Sequence, residues 1–260
     1  MGSRLTSFFL IVLMLFSTSC TAPNLSNLNY TLSSILPRDS FVKIEVTVVL
    51  KSKTQQLILG EAVASGAIVK TTRAGSYVLT AQHVCDVSMD EASVENSEDN
   101  FEVVGKFRAV DLERFQFDAI VYRESDKIDA CIIFVKNLIG RKAIKLNKSK
   151  RPSIGKKAYN IAGPAGFVGE NMVPIFEGYY SGQIASHVNP DIKFDIYTIP
   201  AIGGSSGSPV IDEKGNLIGM IFAVHRNFNH ISFSPSTDDL YKFMLPILRN
   251  APVKPLEIEK

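Results

Sequence analysis

The sequence predicts an all-β fold of two six-stranded antiparallel β-barrels followed by a C-terminal α-helix. Three observations carry this expectation. Short runs with period-two alternation recur at fairly even spacing from Phe41 to Val224, Gly, Pro and Asn turns separate them, and helical periodicity is absent until after Ser236. With 260 residues and 45% apolar content, the chain is long enough to bury a full core without staples. A net charge of +2, with no basic stretch interleaved with aromatics, argues against a nucleic-acid partner.

Val42–Val49 alternates apolar and polar residues before a β-branched run and reads as the first strand. Ile58–Lys70, which contains Ser65-Gly66, is the second arm of a hairpin. Ser76–Thr80 then leads into Ala81-Gln82-His83-Val84. Met89–Asn100 is acidic, lacks apolar periodicity and is expected to be an exposed loop. Phe101–Val110, Phe115–Arg123 and Ala130–Val135 complete a first barrel over about residues 39–138. The basic run from Arg141 to Arg151 is expected to be a solvated linker. Lys157–Ala162, Ile175–Ile184, Phe194–Ile199, Pro209–Ile211 and Leu217–Val224 supply a second barrel over about residues 152–235. Ser236 precedes Thr237, Asp238 and Asp239, a hydroxyl cap followed by acids in a first helical turn. Leu240, Phe243, Met244 and Ile247 then share one face, so a helix is expected over about residues 237–249. Residues 251–260 are rich in Pro and charge and read as a frayed tail.

At the amino terminus, Arg4 and the apolar run Leu5–Phe16 have the form of an export signal over residues 1–20, too short to span a bilayer as a stable helix. Ser17-Thr18-Ser19 leads to Cys20 in the manner of a lipoprotein cleavage box, although Ser17 stands where Leu is usual. A lipid-anchored Cys20, an extracytoplasmic location and a tether over residues 21–38 follow as expectations.

Three residue types occur in a chemically meaningful order: His83, Asp129 and Ser206. A serine hydroxyl needs a neighbouring base to take its proton, histidine titrates close to neutrality, and a carboxylate can hold the imidazole in one tautomer. Gly204 and Gly207 flank Ser206, and glycines there let the Gly204 and Ser206 amides turn toward one point as an oxyanion hole. A second motif overlaps. Gly203-Gly204-Ser205-Ser206-Gly207 also fits the nucleophile elbow of an esterase with Ser205 as nucleophile, but the chain downstream is too short for the rest of such a sheet. No Cys/His spacing suggests a metal site, and no cofactor is implied.

The stretches Ala81-Gln82-His83-Val84, Asp129-Ala130-Cys131-Ile132-Ile133 and Gly204–Pro209 resemble the trypsin-like serine peptidases of the chymotrypsin fold, more closely their bacterial HtrA/Deg-type and glutamyl-endopeptidase-like branch. The resemblance spans Ser40 to Leu248 and leaves no length for the peptide-binding module that some HtrA-type enzymes carry. It implies a serine endopeptidase acting on protein or peptide substrates, with His83 and Asp129 in the first barrel and Ser206 in the second. A trypsin-fold binding protein without turnover is the alternative. In the family an acid six positions before the nucleophile selects Lys or Arg. Pro200 stands there, so an apolar or small residue before the scissile bond is expected, bounded by Phe222, Ala223 and Val224, whose backbone would pair with substrate. His225 and His230 lie near enough to keep a glutamyl preference open. Cys85 and Cys131 each lie two residues beyond a triad position. Two buried free thiols are the favoured reading and a disulfide the alternative.

Overall fold

The computed structural model describes residues 35–53, 55–87, 102–146 and 151–249. The expected export signal, Cys20, most of the tether, the Met89–Asn100 loop and the 251–260 tail lie outside the described residues.

Alternation builds the first barrel. In β1 (Phe41–Lys51) the side chains of Val42, Ile44 and Val46 point inward and are buried, while Lys43, Glu45 and Thr47 face outward. β2 (Gln56–Thr71), β3 (Gly75–Thr80), β4 (Glu102–Val110), β5 (Gln116–Ser125) and β6 (Ala130–Lys136) close with it in the order β1-β2-β3-β6-β5-β4, every pair antiparallel. Their inward residues, including Ile68, Val78, Ala109, Ile133 and Val135, form one core.

The second barrel is an eight-membered sheet in the order β13-β14-β10-β9-β8-β11-β12-β7. Its members are β7 (Lys145–Leu146), β8 (Lys157–Ile161), β9 (Ile175–Ala185), β10 (Lys193–Tyr197), β11 (Pro209–Ile211), β12 (Asn216–Met220), β13 (Ala223–His225) and β14 (Phe228–Pro235). β12 pairs with β11 and β13 with β14, and only Ile221 and Phe222 separate the two, so the chain crosses within two residues from one side of the sheet to the strand at its far edge. The single strand expected over Leu217–Val224 is thus divided in two at Ile221-Phe222.

Two expectations are corrected here. The linker is not simply solvated: Ile144 is buried, its N–H donates to Ile68 C=O at 2.8 Å, and β7 adds to β12 in parallel. Arg141 in the same segment pairs with Asp111 and Glu113, each at 2.6 Å. Secondly, β14 was not anticipated. Its buried face carries Ser232 and Ser234, both 0% exposed, which bond Ile199 C=O and Met220 N–H. Polar residues on the inner face hide the alternation from any reading that expects apolar residues there.

The C-terminal helix spans Thr237–Leu248 and is capped as expected, Asp239 N–H donating to Ser236 Oγ at 3.1 Å. Its first turn is tied to the barrel by buried Asp195, which accepts from Thr237 N–H at 2.9 Å and from Tyr180 Oη–H at 3.0 Å. Burial pushes the Asp195 carboxyl above the ordinary range, and these donors pull against that shift.

The favoured reading of two free thiols is also corrected. Cys85 and Cys131 form a disulfide, with Cα atoms 6.5 Å apart. The one-turn helix Gln82–Cys85 packs against the start of β6, which brings the two cysteines face to face. The bridge closes a loop with a sequence separation of 46 residues. On chain entropy, reduction is expected to lower unfolding stability by about 4 kcal/mol. Denaturant titrations with and without reductant measure this, and identical midpoints would refute it.

Candidate active site

His83 lies on the one-turn helix after β3, with Ala81 extended before it (φ −75°, ψ 150°). Asp129 follows a 3-10 turn, Asp126–Ile128, and itself adopts a left-handed conformation (φ 45°, ψ 54°) before β6 begins. Asp is among the non-glycine residues that tolerate this region best. The bend turns its carboxylate toward the helix. Asp129 Oδ1 accepts from His83 N–H at 3.0 Å, and His83 Nδ1 lies 3.1 Å from Oδ1 and 3.0 Å from Oδ2. One carboxylate therefore fixes both the backbone and the ring of the histidine.

An ionised carboxylate only accepts hydrogen bonds, so the proton of the neutral ring resides on Nδ1 and leaves a lone pair on Nε2. Ser206 Oγ lies 2.9 Å from Nε2. The hydrogen bond and charge of Asp129 hold the His83 pKa above the ordinary histidine value, against the opposing effect of burial.

The loop before Ser206 can be followed carbonyl by carbonyl. Ile202 C=O accepts from Ser205 N–H, closing a turn whose third residue, Gly204, has φ +90°, as a type II turn requires. Gly203 C=O accepts from Ala165 N–H at 2.6 Å, Gly204 C=O from Ser65 Oγ–H at 2.8 Å, Ser205 C=O from Ser208 N–H at 3.0 Å and Ser206 C=O from Ser65 N–H at 2.8 Å. In a trans peptide the N–H points opposite to its carbonyl. Anchoring Gly203 C=O and Ser205 C=O thus aims the Gly204 and Ser206 amides the other way. Among the described residues neither amide has a partner. This pair of free donors beside a serine is what an oxyanion hole requires.

The glycines are forced by space as well as by φ. A Cβ on Gly204 would stand 2.7 Å from Ala165 N and Gly163 O, and one on Gly207 (φ +84°) only 2.1 Å from Ser65 O. Ser205, the competing nucleophile, is 1% exposed, and its Oγ accepts from Ile202 N–H at 3.4 Å.

The expected substrate-side residues are placed as follows. Pro200 is half-buried beside Ala201, whose N–H is tied to Asn229 C=O. Phe222 packs its ring on Phe194 at 5.1 Å and gives its N–H to Phe233 C=O, so its share in any added strand falls to its carbonyl. β13 ends the sheet with β14 as its one neighbour among the described residues. His225 and His230 are exposed, and His230 bonds Asn229 Oδ1. Beside Ser206, a cavity of about 180 Å³ is walled by Val46, Val48, Ala62, Val63, His83, Val84 and Asp86. Sequence reading missed both this cavity and the roles of Ser65 and Ala165. The Ser65-Gly66 pair and the segment Gly163–Gly166 were the available signals.

Two barrels, with a histidine and an aspartate from the first meeting a serine loop from the second, define the class of chymotrypsin-fold peptidases. The chain belongs to the trypsin-like peptidase domain family, whose model matches residues 64–220. Among solved structures it is similar to the Rv3671c protease of M. tuberculosis in its active form, with a TM-score of 0.61 and 16% identity over 90% of this chain and 89% of that one. It is likewise similar to the inactive form of the same protein carrying a serine-to-alanine mutation, with a TM-score of 0.58 and 17% identity over 89% of this chain and 96% of that one. At these identities the likeness is one of fold. No curated protein sequence matches the chain.

Proposed function

We propose that the protein is a serine endopeptidase working through an acyl-enzyme. The observation that carries this reading is His83 standing between Asp129 and Ser206 with hydrogen-bond distances at both ring nitrogens. As Ser206 Oγ attacks the scissile carbonyl carbon, its proton passes to His83 Nε2, and Asp129 stabilises the imidazolium. The carbonyl oxygen, now negative, receives the Gly204 and Ser206 amides. On collapse His83 returns the proton to the departing amine. Water then repeats the sequence on the acyl-enzyme, giving the carboxylic acid and free Ser206.

An apolar or small residue before the scissile bond is supported by Pro200 at the position where tryptic enzymes hold an acid, and by Phe222, Ala223 and Val224, which bring no histidine or charge to the stretch after the nucleophile. The leaving amine departs toward His83, so the residues after the bond enter the largely apolar cavity that His83 and Ser206 share, which Asp86 also lines. The disulfide suits an oxidising compartment, in keeping with export and a lipid anchor on Cys20.

A fluorophosphonate probe tests the reading, because it captures a serine only when base and oxyanion donors act together. Native protein and Ser205→Ala are expected to label, and Ser206→Ala and heat-denatured protein are not. A native protein that labels no better than the denatured control would instead indicate a binding protein without turnover.

A further inference from the structure

We propose that Ser65 is a positioning residue that holds the oxyanion hole open from the opposite barrel. It rests on the peptidase reading above but is carried by a separate set of contacts. Ser65 lies on β2 and is 0% exposed. Every polar group it has is engaged, and three of the four bonds reach into the second barrel. Its Oγ–H donates to Gly204 C=O at 2.8 Å, its Oγ accepts from Gly163 N–H at 3.0 Å, and its N–H donates to Ser206 C=O at 2.8 Å. The fourth, from Thr80 Oγ1–H to Ser65 C=O at 2.9 Å, ties it within the first barrel.

Gly203 and Gly204 carry no Cβ, so rotation of the peptide between them meets little steric resistance, and such a rotation would replace a donor in the hole by a carbonyl oxygen. Two anchors oppose it. On one side of Gly204 the Ser65 hydroxyl grips the carbonyl directly. On the other side Gly203 C=O is held by Ala165 N–H, and Ala165 occupies a left-handed conformation (φ 50°, ψ 26°) that non-glycine residues rarely adopt. Ala165 belongs to the turn Gly163–Gly166, closed by Gly166 N–H to Gly163 C=O at 2.9 Å, and the first amide of that turn bonds the same Ser65 hydroxyl. One oxygen atom thus secures both peptides that flank Gly204. A methyl group in its place would leave Gly163 N–H and Gly204 C=O unpaired together.

Because these contacts aim donors at charge that appears only during reaction, their loss should weaken transition-state binding more than substrate binding. Ser65→Ala and the near-isosteric Ser65→Cys, a poor hydrogen-bond donor, are expected to lower kcat about 10- to 100-fold and to change KM by less than about threefold. In the resting protein, amide exchange should rise in residues 163–166 and 202–206 together while the barrel strands keep their protection. A kcat within about twofold of the parent, or equal losses in kcat and substrate affinity, would overturn the assignment. Unchanged exchange in both segments would overturn it regardless of turnover. Ser206→Ala, assayed in parallel, separates the two readings. Should that variant keep its turnover, the peptidase reading fails, and Ser65 is judged on exchange alone.

Discussion

Ser206→Ala and His83→Ala are each expected to lower kcat about 10⁶-fold, and the double variant no further. In the proposed mechanism the two groups perform one act, since the hydroxyl is a poor nucleophile without a base and the base has nothing to deprotonate without the hydroxyl. Among the described residues, the base within hydrogen-bond reach of Ser206 Oγ is His83, with Nε2 at 2.9 Å. Asp129→Asn should cost less, about 10⁴-fold, because it spoils the tautomer and leaves the oxyanion donors intact. It also carries a pH signature. His83 must be neutral to accept a proton, so activity rises with pH through its pKa, which Asp129 raises above the ordinary value of 6.5. With the carboxylate neutralised, only the opposing effect of burial remains, and the acid limb of kcat/KM should move to lower pH. Steady-state kinetics on one peptide across the neutral range measures all four variants. Losses that multiply in the double variant, or an acid limb indifferent to Asp129, would refute a proton relay through these residues.

Gly207→Ala should be the most damaging small substitution in the fold. The new methyl carbon would lie 2.1 Å from Ser65 O and 2.2 Å from Thr80 Oγ1, in a backbone conformation (φ +84°) that alanine disfavours. Neither neighbour can yield, since both belong to the hydrogen-bonded hub that joins the barrels. A stability loss of about 3–5 kcal/mol is expected, with turnover reduced more than about 100-fold as the Ser206 loop is pushed off the first barrel. Gly60→Ala supplies the contrast: nothing lies within 4 Å of its Cβ position, and its effect should stay within about 0.5 kcal/mol. Thermal melts with parallel kinetics compare the two, and a Gly207→Ala protein as stable and active as its parent would show that the barrels are not in this close contact.

Much of the architecture was legible because apolar strand patterns, alternating or continuous, are local properties. β1 could be read from Val42, Ile44, Val46 and Val48 at every second residue, β3 and β6 from short apolar, β-branched runs, and the helix start from Ser236 with the acids that follow it. Strand β14 escaped because Ser232 and Ser234 face inward, where their hydroxyls serve other strands. β7 escaped because two residues paired in parallel leave no pattern. The order of His83, Asp129 and Ser206 marked the candidate site, as each lies in a distinctive local stretch. Ser65 carried no such mark, since its partners Gly163, Gly204 and Ser206 are distant in sequence and all but one of its site contacts go to backbone carbonyls. The cysteine pairing depended likewise on a meeting of helix and strand that spacing alone does not decide.

The histidine and aspartate come from one half of the molecule, where a carboxylate bond and a covalent sulfur bridge join them, and the serine with its amide donors comes from the other. The first half therefore arrives with base and acid already joined, whereas the serine loop takes part of its hold from Ser65 across the seam. A slip of an ångström between the halves would silence the chemistry while leaving both barrels whole. Activity is accordingly the most sensitive gauge of how firmly the two halves are docked.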